Sequence, residues 1–424
     1  MIGIPSIGFP PWFRQLAHLA DTLTSSSGLP VHEVEKSKVL KKHAKIRPLP
    51  DTSDKLGFSA WKLAHAIKKA DCAHWRASSP LFVSTTGFLI ENAQLFNWND
   101  ASLALNGGAS EFLADFSGTS LSGRVAQGMA LLFLENKGYA YVGRFDAEWK
   151  QRAAAQNKAW PKGKTKAPDF ISENAQKNWI LTESKGGFPK PGVKPNIKGA
   201  LNEGLSQLDG WDQHISPQPI KSYVVGTFLR ESGDLSNEKS ALVFVDPEPD
   251  EPKDPVEFPL DAVRRANYAS WLSLMGLENS AARLLGGVGE PQRRTVPVIS
   301  LAGRKYAVRV ASVSPKLRDP SSPDFWRDID ELLIHPYWVF RDGLRLEVLG
   351  IDLSILETLG SRSQRELSQS LLELIPQEGS DELLDAARGS FYGSVLSDGS
   401  LLGELRFNRP SMSMPEFEWM EVDI

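Results

Sequence analysis

Pro168-Asp169-Phe170-Ile171-Ser172-Glu173, the turn-forming Asn174-Ala175-Gln176-Lys177-Asn178, and the run Trp179-Ile180-Leu181-Thr182-Glu183-Ser184-Lys185 carry more information than any other part of the chain. Apolar and β-branched residues on both sides of a polar turn predict a β-hairpin. An antiparallel register centred on Gln176 makes Asp169 and Glu183 direct cross-strand neighbours, with Cβ atoms about 5 Å apart. Side chains alternate along a strand, so Glu183 and Lys185 share a face. Two like charges that close are unfavourable unless something positive lies between them, and a hard divalent cation held by oxygen ligands meets that need. The competing reading is an ordinary exposed hairpin with a Glu-Lys surface pair.

The spelling of this motif is weak by itself. Pro-Asp begins at Pro50, Pro168, Pro249 and Pro323, and Glu-x-Lys at Glu135, Glu148, Glu183 and Glu251. That frequency yields about 0.6 accidental combinations at this spacing, so the surroundings must carry the claim. Lys158, Lys162, Lys164 and Lys166 precede the motif and Lys190, Lys194 and Lys198 follow it. The chain as a whole has a formal net charge of −4, so this is a local basic patch without a global basic excess.

With 424 residues, 41% of them hydrophobic, the chain can bury a sizeable core and suggests two or three domains. Its single cysteine, Cys72, excludes an intrachain disulfide and a cysteine-based zinc site, and reads as a packed hydrophobe. His43, His65 and His74 lack metal-ligand spacing and read as structural. Asp209 and Asp212 beside Trp211 read as capping or surface charge. The N-terminus lacks a basic start followed by an apolar core, and no segment has the length of a membrane span. The expectation is a soluble, cytoplasmic protein without a membrane partner.

Residues 1–115 predict a mainly helical region, including a helix from Ser59 to Lys69 with Ser59 as its cap. A basic stretch there, Lys36 to Arg47, reads as a solvated face. Residues 116–245 hold an apolar helix from Arg124 to Asn136, a short strand at Tyr139–Val142, the hairpin, a helix from Ile197 to Trp211, and a strand from Tyr223 to Leu229. Residues 246–294 begin with a stretch to Pro259 holding five prolines and six acidic residues, too poor in apolar surface for core structure, and continue as a helix to Leu285. Residues 295–424 predict a separate α+β domain. Ala302-Gly303-Arg304, Asp342-Gly343 and Asp398-Gly399 each sit between strand-like runs, and a helix from about Ser361 to Ile375 lies among them. Gly286-Gly287-Val288-Gly289 reads as a flexible boundary.

Gln127-Gly128-Met129-Ala130-Leu131-Leu132-Phe133-Leu134-Glu135-Asn136-Lys137-Gly138-Tyr139 resembles the first helix and strand entry of the PD-(D/E)xK nuclease superfamily, the restriction-endonuclease-like fold. The resemblance continues in order through Asp169, Glu183, Lys185 and a helix bearing Glu203 and Gln207, and covers about residues 120–230. It implies an α/β core of αβββαβ type with a mixed sheet. It further implies that Asp169, Glu183 and the Ser184 carbonyl hold Mg²⁺, with Mn²⁺ as a substitute, and that Lys185 orients the attacking water or stabilises the transition state. Gln127 stands where many members have Glu, and an amide is a poorer metal ligand. Gln207 and Glu203 would support the site from behind. Arg124, Lys164, Lys166, Lys190, Lys194 and Lys198 would bind the phosphate chain.

The function so implied is a metal-dependent nuclease acting on nucleic acid, with DNA as the expected substrate, in a prokaryotic restriction or anti-phage defence setting. The N- or C-terminal region would engage a protein partner. The alternative is a catalytically degenerate nuclease-fold module that binds nucleic acid or proteins. No Gly-x-Ser-x-Gly elbow, phosphate-binding loop or His-Glu-x-x-His segment points to other chemistry.

Overall fold

The computed structural model describes residues 25–71, 95–287 except 99, 101, 114, 165 and 235–237, and then 290–311, 344–360, 363–380, 384–386, 389–407 and 418–424. Cys72, His74, Gly289, the Tyr337–Phe340 strand and the Asp342-Gly343 turn lie outside the described residues.

A mixed seven-stranded sheet forms the first layer. Its strands are β1 (Ser26–Glu33), β2 (Lys55–Ser59), β3 (Tyr141–Arg144), β4 (Phe170–Glu173), β5 (Trp179–Gly187), β6 (Lys221–Phe228) and β7 (Ala241–Val245), in the spatial order β2-β1-β7-β6-β5-β4-β3. β3, β4 and β5 run as an antiparallel meander, and β6 returns parallel to β5. Such a parallel return needs a crossover, supplied by the helix Ile197–Leu208 between β5 and β6. Ile180, Leu181, Val224 and Val225 on the central pair are fully buried, as expected where helices cover both faces of a sheet.

The helices that position the hairpin are α1 (Ala60–Asp71), α2 (Asp115–Asn136), α3 (Phe145–Ala155) and α4 (Ile197–Leu208). Ser59 caps α1 as expected, its hydroxyl accepting from the Lys62 amide at 3.0 Å. α2 begins nine residues before the expected Arg124 and is apolar on several sides because it packs between α1 and the sheet. Gly128 lets α1 approach closely: a Cβ there would run into Ile67. The segment after Arg144 folds as α3. Its Trp149 joins Trp160 and Trp211 in an edge-to-face cluster, with ring centroids 4.8–5.6 Å apart.

Two expectations change. The N-terminal region contributes β1 and β2 to the main sheet, so among its described residues it is not mainly helical. The segment expected as one helix to Leu285 is two, α5 (Ala262–Leu274) and α6 (Glu278–Leu284), parted at Gly276 with φ +76. The proline-rich stretch before them is a surface excursion tied to the core by backbone hydrogen bonds such as Lys253 to Gln213 and Phe258 to Ser216.

The C-terminal part is an antiparallel sheet of β8 (Arg293–Leu301), β9 (Arg304–Ala311), β10 (Leu344–Asp352), β11 (Leu384–Ala386), β12 (Gly389–Val395), β13 (Ser400–Phe407) and β14 (Glu418–Asp423), with helices α7 (Leu353–Leu359) and α8 (Gln364–Glu373). The order β9-β10-β13-β12-β11-β8 closes on itself because β8 also pairs with β9. Both described turns appear where their glycines predict them, with Ala302-Gly303 at φ +47 and +79 and Gly399 at +81. Ser363 and Glu366 form a capping box that starts α8.

Candidate active site

The hairpin register sets the site. Phe170 pairs with Thr182 and Glu173 with Trp179, and extending this ladder outward puts Asp169 opposite Glu183, the register read from the sequence. The turn is fixed by Asn174, whose side chain accepts from the Gln176 and Asn178 amides at 3.0 and 2.9 Å, while Lys177 takes φ +64. One step further, Pro168 stands opposite Ser184. Proline has no N–H, so it leaves the Ser184 carbonyl without a ladder donor there. The Ser184 amide instead donates to Asp169 Oδ2 at 2.9 Å, and the Ser184 hydroxyl to the same oxygen at 2.6 Å. The Pro-Asp spelling thus has a mechanical meaning: the paired ladder ends before the proline, and the aspartate carboxylate takes the Ser184 amide and hydroxyl just beyond it.

Gln127 of α2 reaches the same carboxylate from above, its Nε2 3.5 Å from Asp169 Oδ1. Glu183 is 3% exposed, and its Oε2 is buried with no hydrogen-bond partner. Burial, followed by the nearby Asp169 charge, pushes the Glu183 carboxyl up to about 8. Lys185 pulls the other way from 3.0 Å but supplies less. Lys185 also contacts Glu203 Oε1 at 3.0 Å and Gln207 Oε1 at 3.2 Å. Burial acts to lower its pKa, yet the Glu183 charge and the hydrogen bond it donates to Glu203 leave it raised. Glu203 and Gln207 are one turn apart on α4 and bond to each other at 3.2 Å. The hydrogen bond from Lys185 lowers the Glu203 carboxyl.

Seven residues singled out from the sequence therefore meet in one place: Gln127, Asp169, Glu183, Ser184, Lys185, Glu203 and Gln207. The sequence reading missed the Ser184 hydroxyl as the holder of Asp169, although a small hydroxyl residue between Glu and Lys was its visible signal. The two carboxylates fall short of a cluster of three His, Cys, Asp or Glu residues able to hold a metal, and no such cluster exists among the described residues.

The surrounding cations are less available than their spacing implies. Arg124 forms a fork onto Asp71. Lys164 binds Asp209, Lys158 pairs with Asp254 at 2.8 Å, and Lys198 donates to the Lys41 and Ala44 carbonyls at 2.6 and 2.8 Å. Lys166 lies 3.8 Å from Glu203 and is largely exposed, and Lys190 and Lys194 are exposed in the loop after β5. Asp212, read as surface charge, is buried and accepts from the Asp250 amide. His65 is buried against Trp271, ring centroids 4.9 Å apart, and burial lowers its pKa to about 3.

No family model matches this chain, and neither does any curated protein or solved structure. Among the described residues no helix is long and apolar enough to cross a membrane.

Proposed function

We propose that this cluster is the catalytic centre of a metal-dependent nuclease of the PD-(D/E)xK kind, hydrolysing phosphodiester bonds of DNA. The observation that carries the reading is the buried Glu183 oxygen without a partner, beside a second carboxylate and one lysine. Burying a carboxyl group whose partners do not fully replace its lost hydration costs stability, and such groups concentrate at functional sites. The order α2, meander, α4, parallel strand supports the same reading, since it is the αβββαβ order the sequence resemblance implies.

Two carboxylates and a backbone carbonyl are the donor types that a hard divalent cation such as Mg²⁺ takes. Asp169, Glu183 and the Ser184 carbonyl would hold it, three oxygen donors with waters left to complete the shell. When bound, it would polarise a phosphoryl oxygen and lower the pKa of a coordinated water. Asp169 is oriented by Ser184, so its Oδ1 is left facing Gln127. Lys185, held between Glu183, Glu203 and Gln207, is placed to donate a hydrogen bond to the attacking water or to the charge that develops on phosphorus oxygens. Lys166, Lys190 and Lys194, exposed before and after the hairpin, would supply contacts to a phosphate chain.

Purified protein is to be assayed on supercoiled, linear and single-stranded DNA with and without Mg²⁺. Cleavage is expected only with metal, and Asp169→Ala, Glu183→Ala and Lys185→Ala are each expected to abolish it while the proteins remain folded. Undiminished cleavage by the three variants would remove this site from consideration. DNA binding indifferent to Mg²⁺, without cleavage, would favour the degenerate binding module, a reading that the amide at Gln127 supports.

A further inference from the structure

A second polar centre lies on the same helix α2, two turns beyond Gln127. A cleft of about 310 Å³ opens where β2, α1 and the end of α2 meet the C-terminal part, lined among others by Leu56, Lys62, Leu132, Glu135, Gln377 and Ser397. Its volume is at the lower end of small-molecule sites. The Glu135 and Lys62 side chains are 14% and 21% exposed, and their charged atoms are 4.0 Å apart, too far for a direct hydrogen bond. Glu135 Oε1 takes one bond, from the Ser397 amide at 3.3 Å. Burial raises the Glu135 carboxyl, a sign that water and Lys62 do not fully replace its lost solvation. Room is built in, because a Cβ at Gly57 or Gly138 would meet no atom within 4 Å.

A carboxylate beside an ammonium asks for N–H donors beside an acceptor on one edge of the ligand. The pair is neutral overall, so a charged edge would add net charge to a half-buried place, and a neutral planar edge suits it better. Pro376, half-buried, lines the cleft beside the almost fully buried Leu56 and Leu132 and gives it an apolar edge. Guanine presents two N–H donors next to a carbonyl oxygen. Adenine and cytosine offer a single amino group beside a ring acceptor, and uracil lacks the amino group altogether.

We propose that this cleft is a nucleobase site selective for guanine, with Glu135 accepting from the two N–H groups and Lys62 donating to the carbonyl oxygen. The inference is independent of the nuclease reading and needs no metal.

Calorimetric titration of the full chain with the 5′-monophosphates of guanosine, adenosine, cytidine and uridine tests it. The guanosine nucleotide is expected to bind about tenfold or more tightly than the others. Glu135→Gln is expected to weaken it by about the same factor, since the amide presents an N–H toward donors. Gly57→Leu, on the cleft rim where nothing clashes, is expected to block binding without changing the melting temperature, whereas Asp169→Ala should leave binding unchanged. No heat up to about 5 mM nucleotide, equal affinity for all four, competition by inorganic phosphate alone, or full affinity in both cleft variants would overturn the proposal.

Discussion

Replacing Glu183 with Gln should stabilise the protein without metal at alkaline pH while abolishing cleavage. In an unfolded chain this carboxyl titrates near 4.5, whereas in the folded site burial and Asp169 raise it to about 8. Below 4.5 both states carry the proton and the group is neutral in the balance. Between 4.5 and 8 the unfolded state loses its proton while the folded state keeps it, so stability falls as pH rises, and above 8 the full penalty is in place. A shift of this size corresponds to a ceiling of roughly 5 kcal/mol, with about 3 kcal/mol reached by pH 7. Relaxation and water entry reduce that, so a gain of about 1–3 kcal/mol for Glu183→Gln at pH 8 and little at pH 4.5 is the expectation. Urea denaturation with EDTA present, at pH 4.5 and pH 8, measures it directly. A variant less stable than wild type at pH 8, or equally displaced at both values, would refute the claim that Glu183 is held as a strained, function-ready acid.

Other consequences follow from the same geometry. Metal binding must displace the Glu183 proton, so Mg²⁺ affinity measured by titration should fall by up to about tenfold per pH unit below 8, and a flat profile from pH 6 to 8 would exclude Glu183 as a ligand. Gly186→Ala would drive a Cβ into the Ser122 carbonyl of α2 and crowd Ala126; a loss of about 1–3 kcal/mol by thermal melting is expected, with reduced cleavage because Gln127 sits on the displaced helix. Asp398→Asn would strand the buried Lys69 ammonium, now 2.7 Å from the carboxylate, at a cost of about 3–5 kcal/mol in urea denaturation. In wild type, burial opposes ionisation of Asp398, but Lys69, Ser400 and Asn267 hold its carboxyl at about 2. Its contribution is therefore present above the ordinary carboxyl value of 3.8 and lost as pH falls through 2, a loss absent from Asp398→Asn.

What could be read from the chain beforehand depended on range. The hairpin was legible because its turn, its apolar runs and its register lie within eighteen residues, so local pattern and pairing coincide at Asp169 and Glu183. The seven-residue cluster followed from it because α2 and α4 announce themselves by apolar spacing. β1 was not legible: Ser26-Ser27-Gly28-Leu29-Pro30 lacks β-branched alternation and is held as a strand by pairing with β2, while Val31 to Glu33 dock beside β7, two hundred residues away. Cation spacing misled for a related reason. Lys158, Lys164 and Lys198 look like a phosphate-binding patch in sequence, but their partners, Asp254, Asp209 and the 41–44 carbonyls, arrive from elsewhere in the chain.

Buried ion pairs tie the C-terminal sheet to the elements around the hairpin. Asp398, on the turn between β12 and β13, receives Lys69 of α1 and Asn267 of α5 while its carbonyl accepts from Tyr268. Arg264 of α5 pairs with Glu173 of β4 at 2.7 Å and turns its Nη1 to the Leu371 and Leu374 carbonyls. Both ion pairs are almost fully buried, and a buried charge whose partner is taken away costs far more than the pair ever contributed. Glu173 ends the strand that Asp169 precedes, and Lys69 ends the helix that packs on Gln127's own helix. The C-terminal sheet and the helices beside it are thus fastened to the strand and the helix that flank Asp169 and Gln127.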